Sequence, residues 1–240
     1  MGSLLTFRNA VARLTPLTPA SVETLQLQSL HLPPSSETFP NIKTLAFIDH
    51  KPSPRPVSPP VSLAATFSNV TTLSFTVTDY HQLDSEGKIS DILPQLEVLR
   101  IRGPLRLSAG TIATLAAGGT KLAKLQVGSI GAWGSESIPE HSPEALPELF
   151  VDPNPSYARR ESHHHNRTPA QRVASILRDA MKDELDTIVA CRPIKKIVFP
   201  LWMKTALMGI AGGVGLFEKY FLDRGIALEF VGTPPLFPYA

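Results

Sequence analysis

Three stretches of the chain place apolar side chains at the same four offsets. FPNIKTLAF (residues 39–47), FSNVTTLSF (67–75) and LPQLEVLRI (93–101) each read apolar-x-x-apolar-x-x-apolar-x-apolar, at spacings of 28 and 26 residues. The last six residues of the pattern are a weak signal alone, expected about six times by chance at this apolar content, and the full pattern about twice. Recurrence at near-equal spacing is the stronger signal. Shorter matches fall where further units would stand. VETLQL (22–27) begins 20 residues before Ile42, LAKLQV (122–127) begins 26 after Leu96, and IKKIVF (194–199) begins 72 after Leu122, which leaves room for a further unit and an inserted loop. IALEFV (226–231) is a final, degenerate copy.

The two closing apolar positions of each unit alternate with polar ones, as a strand with one buried face requires. The apolar position before them falls in the turn entering the strand and packs beneath it. One such unit cannot bury its own apolar face. Stacked units share a continuous core, and their strands then pair in parallel.

The segments between strands read as returns across that core. LSAGTIATLAAGG (107–119) predicts a short helix with Ser108 as N-cap, Ile112 and Leu115 on one face, and Gly118 as its stop. TPAQRVASILRDAMKDELDTIVAC (168–191) predicts one long helix. Thr168 and Gln171 form a capping box, Pro169 takes the first helical position, and Val173, Ile176, Leu177, Ala180, Leu185, Ile188 and Val189 trace an apolar stripe. GLFEKYFLDRG (215–225) predicts an amphipathic helix with Phe217, Tyr220 and Phe221 inward and Gly225 as cap.

A doubly wound sheet would show the same alternation of strand and helix. Its strands, covered on both faces, should be apolar almost throughout. Here Thr44, Thr72, Ser74, Arg100 and Lys124 interrupt them. The expected class is therefore α/β, a repeat solenoid whose parallel sheet follows sequence order and keeps one face open. Residues 1–133 hold the N-terminal units, 134–168 a polar, proline-rich insertion expected to be disordered, and 169–240 the C-terminal units of the same solenoid. Prolines cluster at 52–60 and 139–155, and these stretches are read as exposed loops, neither helix nor central strand.

The segments FPNIKTL, FSNVTTL and LPQLEVL resemble leucine-rich repeats, in particular the irregular repeats that follow the F-box in fungal F-box proteins. The resemblance covers residues 20–130 well and 170–231 loosely. None of the units carries the asparagine or cysteine that usually follows the strand in regular members. The resemblance implies an irregular leucine-rich-repeat-like solenoid with the sheet on its concave face, and a role as substrate receptor of a ubiquitin ligase. No F-box is found. Residues 1–20 are too short for one, and LLTFRNAVARL (4–14) supplies at most one helix, which counts against contact with the ligase adaptor. The chain reads as a receptor that lost its F-box, or as a fragment of a longer product.

On stacked strands the outward residues flank the middle apolar position and follow the last. They are Thr24, Gln26, Gln28; Thr44, Ala46, Ile48; Thr72, Ser74, Thr76; Val98, Arg100, Arg102; Lys124, Gln126, Gly128; and Lys196, Val198, Pro200. The early units are neutral, while Arg100, Arg102, Lys124 and Lys196 fall on one face with no acid among these positions. The expected partner-binding surface is Thr72, Ser74, Arg100, Arg102, Lys124, Gln126 and Lys196, and the expected partner another protein with an acidic or phosphorylated segment. The competing reading is an ordinary solvated face.

Charge narrows the classes further. With 23 basic and 21 acidic side chains the chain does not read as a nucleic-acid binder. The single cysteine, Cys191, excludes an intramolecular disulfide and suits a reducing compartment, cytoplasm or nucleus. No apolar run reaches the ~18 residues of a membrane span. The opening M-G-S-L-L-T fits the loose myristoylation pattern at Gly2.

No enzyme chemistry is expected. His163, His164 and His165 are adjacent in a loop, where side chains rarely converge on one ion, so neither a metal nor a cofactor is expected. GIAGGVG (209–215) fits neither phosphate-loop spacing and reads as a return between helices. Asp179, Asp183, Glu184 and Asp186 read as solvated carboxylates on a polar helix face. An α/β enzyme with an unrecognised site is the alternative, and strand order separates the two.

Overall fold

The computed structural model describes residues 3–7, 22–27, 38–50, 63–77, 92–131, 145–153, 167–181 and 185–232; at some strand positions, Arg102 among them, it describes the backbone alone. The strands are β1 (Ser3–Phe7), β2 (Val22–Leu27), β3 (Thr44–His50), β4 (Thr72–Val77), β5 (Val98–Ser108), β6 (Lys124–Gly131), β7 (Leu146–Val151), β8 (Ile194–Pro200) and β9 (Ala227–Val231). The helices are α1 (Leu63–Thr66), α2 (Ala109–Gly118), α3 (Pro169–Met181), α4 (Leu185–Cys191), α5 (Leu201–Met208) and α6 (Gly213–Leu222), with a 3-10 turn at Leu93–Gln95. Strands neighbour one another in chain order from β1 to β9, and each pair of defined register is parallel. The fold is thus α/β with a parallel sheet in sequence order, and the strand order never reverses as a doubly wound sheet requires.

The chain forms two compact units, one of Met1–Leu105 with Leu115–Gln126, the other of Arg106–Thr114 with Val127–Ala240. In the first, equivalent residues of each repeat lie side by side. Leu25 pairs with Leu45, Leu45 with Leu73 and Leu73 with Leu99, and all four are fully buried. Phe47 stacks on Phe75 at 5.2 Å, and Phe39 on Phe67 at 5.6 Å. The turn residues Ile42, Val70, Leu96 and Leu122 are buried beneath the strands, as the pattern predicts.

The turns are joined by a second ladder. Lys43 N–H donates to Glu23 O, Thr71 N–H to Lys43 O, Glu97 N–H to Thr71 O and Ala123 N–H to Glu97 O, at 2.8–3.0 Å. Side-chain amides reinforce it. Asn69 Nδ2 donates to Pro40 O at 2.8 Å, and Gln95 Nε2 donates to Phe67 O at 3.0 Å and to Val70 O at 3.2 Å. Two units thus carry a bridging amide in the turn before the strand. Gly118 ends α2 so close to the 3-10 turn that a Cβ there would stand 2.7 Å from Leu93 Cδ2.

In the second unit, Leu146 pairs with Ile194 and Leu149 with Ile197, and β9 closes the series beside β8. Phe199, Phe217, Phe221 and Phe230 form its aromatic centre, with Phe217 5.3 Å from Phe199 and 5.2 Å from Phe221. The capping box of α3 is formed: Thr168 N–H donates to Gln171 Oε1 at 2.9 Å and Gln171 N–H to Thr168 Oγ1 at 3.3 Å. Gly225, at φ 69°, ends α6 in a Schellman arrangement, with Ile226 N–H donating to Phe221 O and Gly225 N–H to Leu222 O. The glycine-rich return is tight. A Cβ on Gly213 would collide with Leu207 O and lie 2.8 Å from Ile210 Cβ.

Three expectations are corrected. The insertion at 134–168 contains strand β7, whose residues LPELFV fit the repeat pattern. Pro147 lies inside that central strand; Leu146 starts the pairing by donating to Pro193 O at 2.7 Å, and the proline beside it is exposed at the strand's opening. The segment LLTFRNAVARL does not begin as helix, because Ser3–Phe7 is a strand parallel to β2. The predicted long helix is described as α3 and α4, and residues 182–184 lie outside the described residues. The proline cluster at 52–60 and the histidines at 163–165 also lie outside the described residues.

Candidate binding surface

The expected partner-binding residues sit where strand geometry puts them, but they are not equivalent. In the first unit, β4, β5 and β6 present Thr72, Ser74, Arg100, Lys124 and Gln126 away from the core, since the residues flanking Ser74, Arg100 and Gln126 along each strand are buried. Ser74 pairs with Arg100 across β4 and β5. Lys124 N–H donates to Glu97 O as Val98 N–H donates to Thr71 O, so the same offset sets Gln126 beside Arg100. Ser74, Arg100 and Gln126 thus form one transverse row. Thr44, Thr72 and Val98 form the row before it, continued by Lys124. The backbone of Arg102 pairs with that of Thr76; the side chains of both lie outside the described residues.

The row is unusually dry for an outward face. Ser74 is 9% exposed and Gln126 4%, while Arg100, Thr72 and Lys124 are half-buried. Burial pushes the Arg100 pKa below its usual value. Among the described residues, Ser74, Arg100 and Gln126 have no side-chain hydrogen bond or ion pair, whereas Lys124 has an interaction of its own.

Lys196, in the second unit, is different. Its Nζ lies 2.9 Å from Glu148 Oε2 and 2.9 Å from Glu229 Oε2, and those carboxylates, Glu148 first, raise its pKa. The expectation of a basic patch free of acid is corrected here, because β7 and β9 each bring a glutamate to the lysine between them. Val198 and Pro200, expected to face outward, are buried, and Val198 lies beside the buried Phe150 of β7. Asp186, read as solvated, holds Arg224 with two contacts at 2.8 and 3.1 Å, and the guanidinium stacks 3.9 Å above the Tyr220 ring.

Sequence reasoning overlooked Glu148 because its strand was assigned to a loop. It also overlooked the bridging amides, although Asn41, Asn69 and Gln95 occupy the same offset, directly before the second apolar position of each unit. Among the described residues no group of three His, Cys, Asp or Glu could hold a metal ion, and no helix is long and apolar enough to cross a membrane. Comparison with protein-family models, with characterised proteins and with solved structures finds no match.

Proposed function

We propose that this chain is a non-catalytic protein-interaction module, an irregular leucine-rich-repeat-like solenoid that offers the outer face of its sheet, concave in such folds, to an acidic partner in the cytoplasm or nucleus. The observation that carries the reading is the repeat itself. Four apolar positions recur in each of three units and are buried at every copy, and the two in the strand pair in register. Strand order that follows the chain is the order expected of stacked units, and it supplies no switch-point crevice of the kind that holds substrates in open α/β sheets. The likeness of the turn-strand segments to the repeats of fungal F-box receptors supports a receptor-like role. Arg100 is the cation best placed to meet an acidic partner, since Lys196 is neutralised by Glu148 and Glu229.

The test is affinity capture from a cell extract with the full chain and with Arg100→Glu, read by mass spectrometry. A partner retained by the wild type and lost with the variant supports the reading. Capture of the same proteins by both chains removes Arg100 from the interface. Recovery of ligase subunits would extend the reading to an adaptor contact.

A further inference from the structure

We propose that Ser74, Arg100 and Gln126 form a site for a phosphate monoester, the phosphorylated serine or threonine of a partner segment; this rests on the interaction reading above and narrows it. The three residues stand on adjacent strands, so their Cα atoms are spaced about 4.8 Å apart across the sheet. All three side chains donate: a hydroxyl, a guanidinium fork and an amide N–H₂. None has a protein partner among the described residues, yet Ser74 and Gln126 are 9% and 4% exposed and Arg100 is half-buried. Among the described residues the buried side-chain atoms without a partner are Glu148 Oε1 and Arg172 Nε, so the Ser74 and Gln126 donors still reach solvent, while the half-buried Arg100 guanidinium bears the cost of partial desolvation. An anionic ligand rich in acceptors removes that cost.

The chemistry of the row selects among anions. The Arg100 fork takes two oxygens of a carboxylate or a phosphate equally well. A carboxylate then has no further oxygen for the donors on either side. A phosphate monoester has three terminal oxygens and close to two charges, so Ser74 Oγ–H and the Gln126 amide reach acceptors that the fork leaves open. Within the first unit, the positions of this row (Gln26, Ala46, Ser74, Arg100, Gln126) and of the row before it (Thr24, Thr44, Thr72, Val98, Lys124) carry no acidic side chain. Lys196 shows the contrary arrangement, a cation held between two glutamates.

The experiment titrates the ¹⁵N-labelled full chain with capped phosphoserine, capped aspartate and inorganic phosphate, ionic strength held constant with chloride. The Arg100 Nε–H and Gln126 side-chain N–H₂ resonances are followed. The expected result is saturable shifts of both with phosphoserine, at least roughly tenfold tighter than with aspartate, and a comparable weakening in Arg100→Lys, which keeps the charge and loses the fork. Gln126→Leu should weaken phosphoserine more than aspartate. Unchanged resonances around Leu45 and Leu73, in the core of the same unit, show that each variant is folded. Equal affinity for aspartate and phosphoserine, or no effect of Arg100→Lys, overturns the proposal. Inorganic phosphate binding tighter than phosphoserine overturns the assignment to a partner's side chain. Phosphatase treatment of the extract separates this proposal from the reading beneath it. Arg100-dependent capture that survives treatment removes the phosphate and keeps the interaction. Absence of any Arg100-dependent capture removes the interaction even where phosphoserine binds.

Discussion

Replacing Gln95 with alanine measures how far neighbouring units are joined by side chains as well as by backbone. Its Nε2 donates to the carbonyls of Phe67 and Val70, both on the preceding turn. The Phe67 carbonyl keeps a second donor, the Val70 N–H at 3.2 Å. The Val70 carbonyl, on a fully buried residue, loses the donor that Gln95 provides. A net hydrogen bond is worth about 1 kcal/mol, and an orphaned carbonyl costs roughly 1–3 kcal/mol. Gln95 is only half-buried, so water can partly replace it, and the lower part of that range applies: about 1–2 kcal/mol for Gln95→Ala. In a chain of this length each kcal/mol lowers Tm by roughly 2–4 °C. Gln95→Met keeps the length and removes both donors, so it should lose nearly as much. Gln95→Glu sets a carboxylate against two carbonyls at neutral pH and should be worse than either. It should recover below about pH 4.3, where the protonated acid can donate again.

The assay is urea unfolding, read as a change in midpoint at constant slope, with amide exchange measured through Val70 to Phe75 and through α6 as a control. The expected signature is faster exchange in the turn and β4, with α6 unchanged. Variants as stable as wild type, or exchange raised equally in α6, would refute the argument that the amide holds one unit to the next.

Phe217 is fully buried against Phe199, Phe221 and Phe230, so Phe217→Ala should cost about 3–5 kcal/mol in chemical denaturation of the second unit. Gly213→Ala forces Leu207 O and Ile210 aside and should cost roughly 1–3 kcal/mol by the same measurement, although Gly213 has an ordinary backbone conformation. The Arg224 guanidinium holds the Asp186 carboxyl below its usual pKa, so the pair's stabilisation is whole above about pH 4 and disappears as pH falls through the depressed folded value. Wild-type and Asp186→Asn stabilities should therefore converge in acid; the gap at neutral pH is small, because the carboxylate is largely exposed.

The repeat was legible because its physics is local: four apolar offsets are enough to specify a turn, a strand and a buried face. Strand β7 satisfies the same rule, with Leu146, Leu149 and Val151 at the repeat offsets, and lies 24 residues after Leu122. It was hidden by Pro143, Pro147 and Pro153, whose weight as strand breakers outran the pattern. A proline at the second position of a strand gives up one donor at the strand's opening, and the six residues of β7 form around it.

The outward rows were legible too, but the state of each cation was not, because it depends on pairs brought together across strands. Lys196 meets Glu148 and Glu229 only once β7 and β9 flank β8, 48 and 33 residues away in sequence. Arg224 meets Asp186 from another helix. Both cations have raised pKa values and help to hold the second unit together. Arg100 bears the loss of water with no carboxylate partner among the described residues. A cation so placed weakens the fold it sits in, and a hydrophobic side chain of similar length should relieve that cost. Arg100→Met should therefore unfold at an equal or higher urea concentration than wild type while losing phosphoserine binding. A marked fall in stability would mean that Arg100 serves the sheet itself, and the case for a ligand at that row would be lost with it.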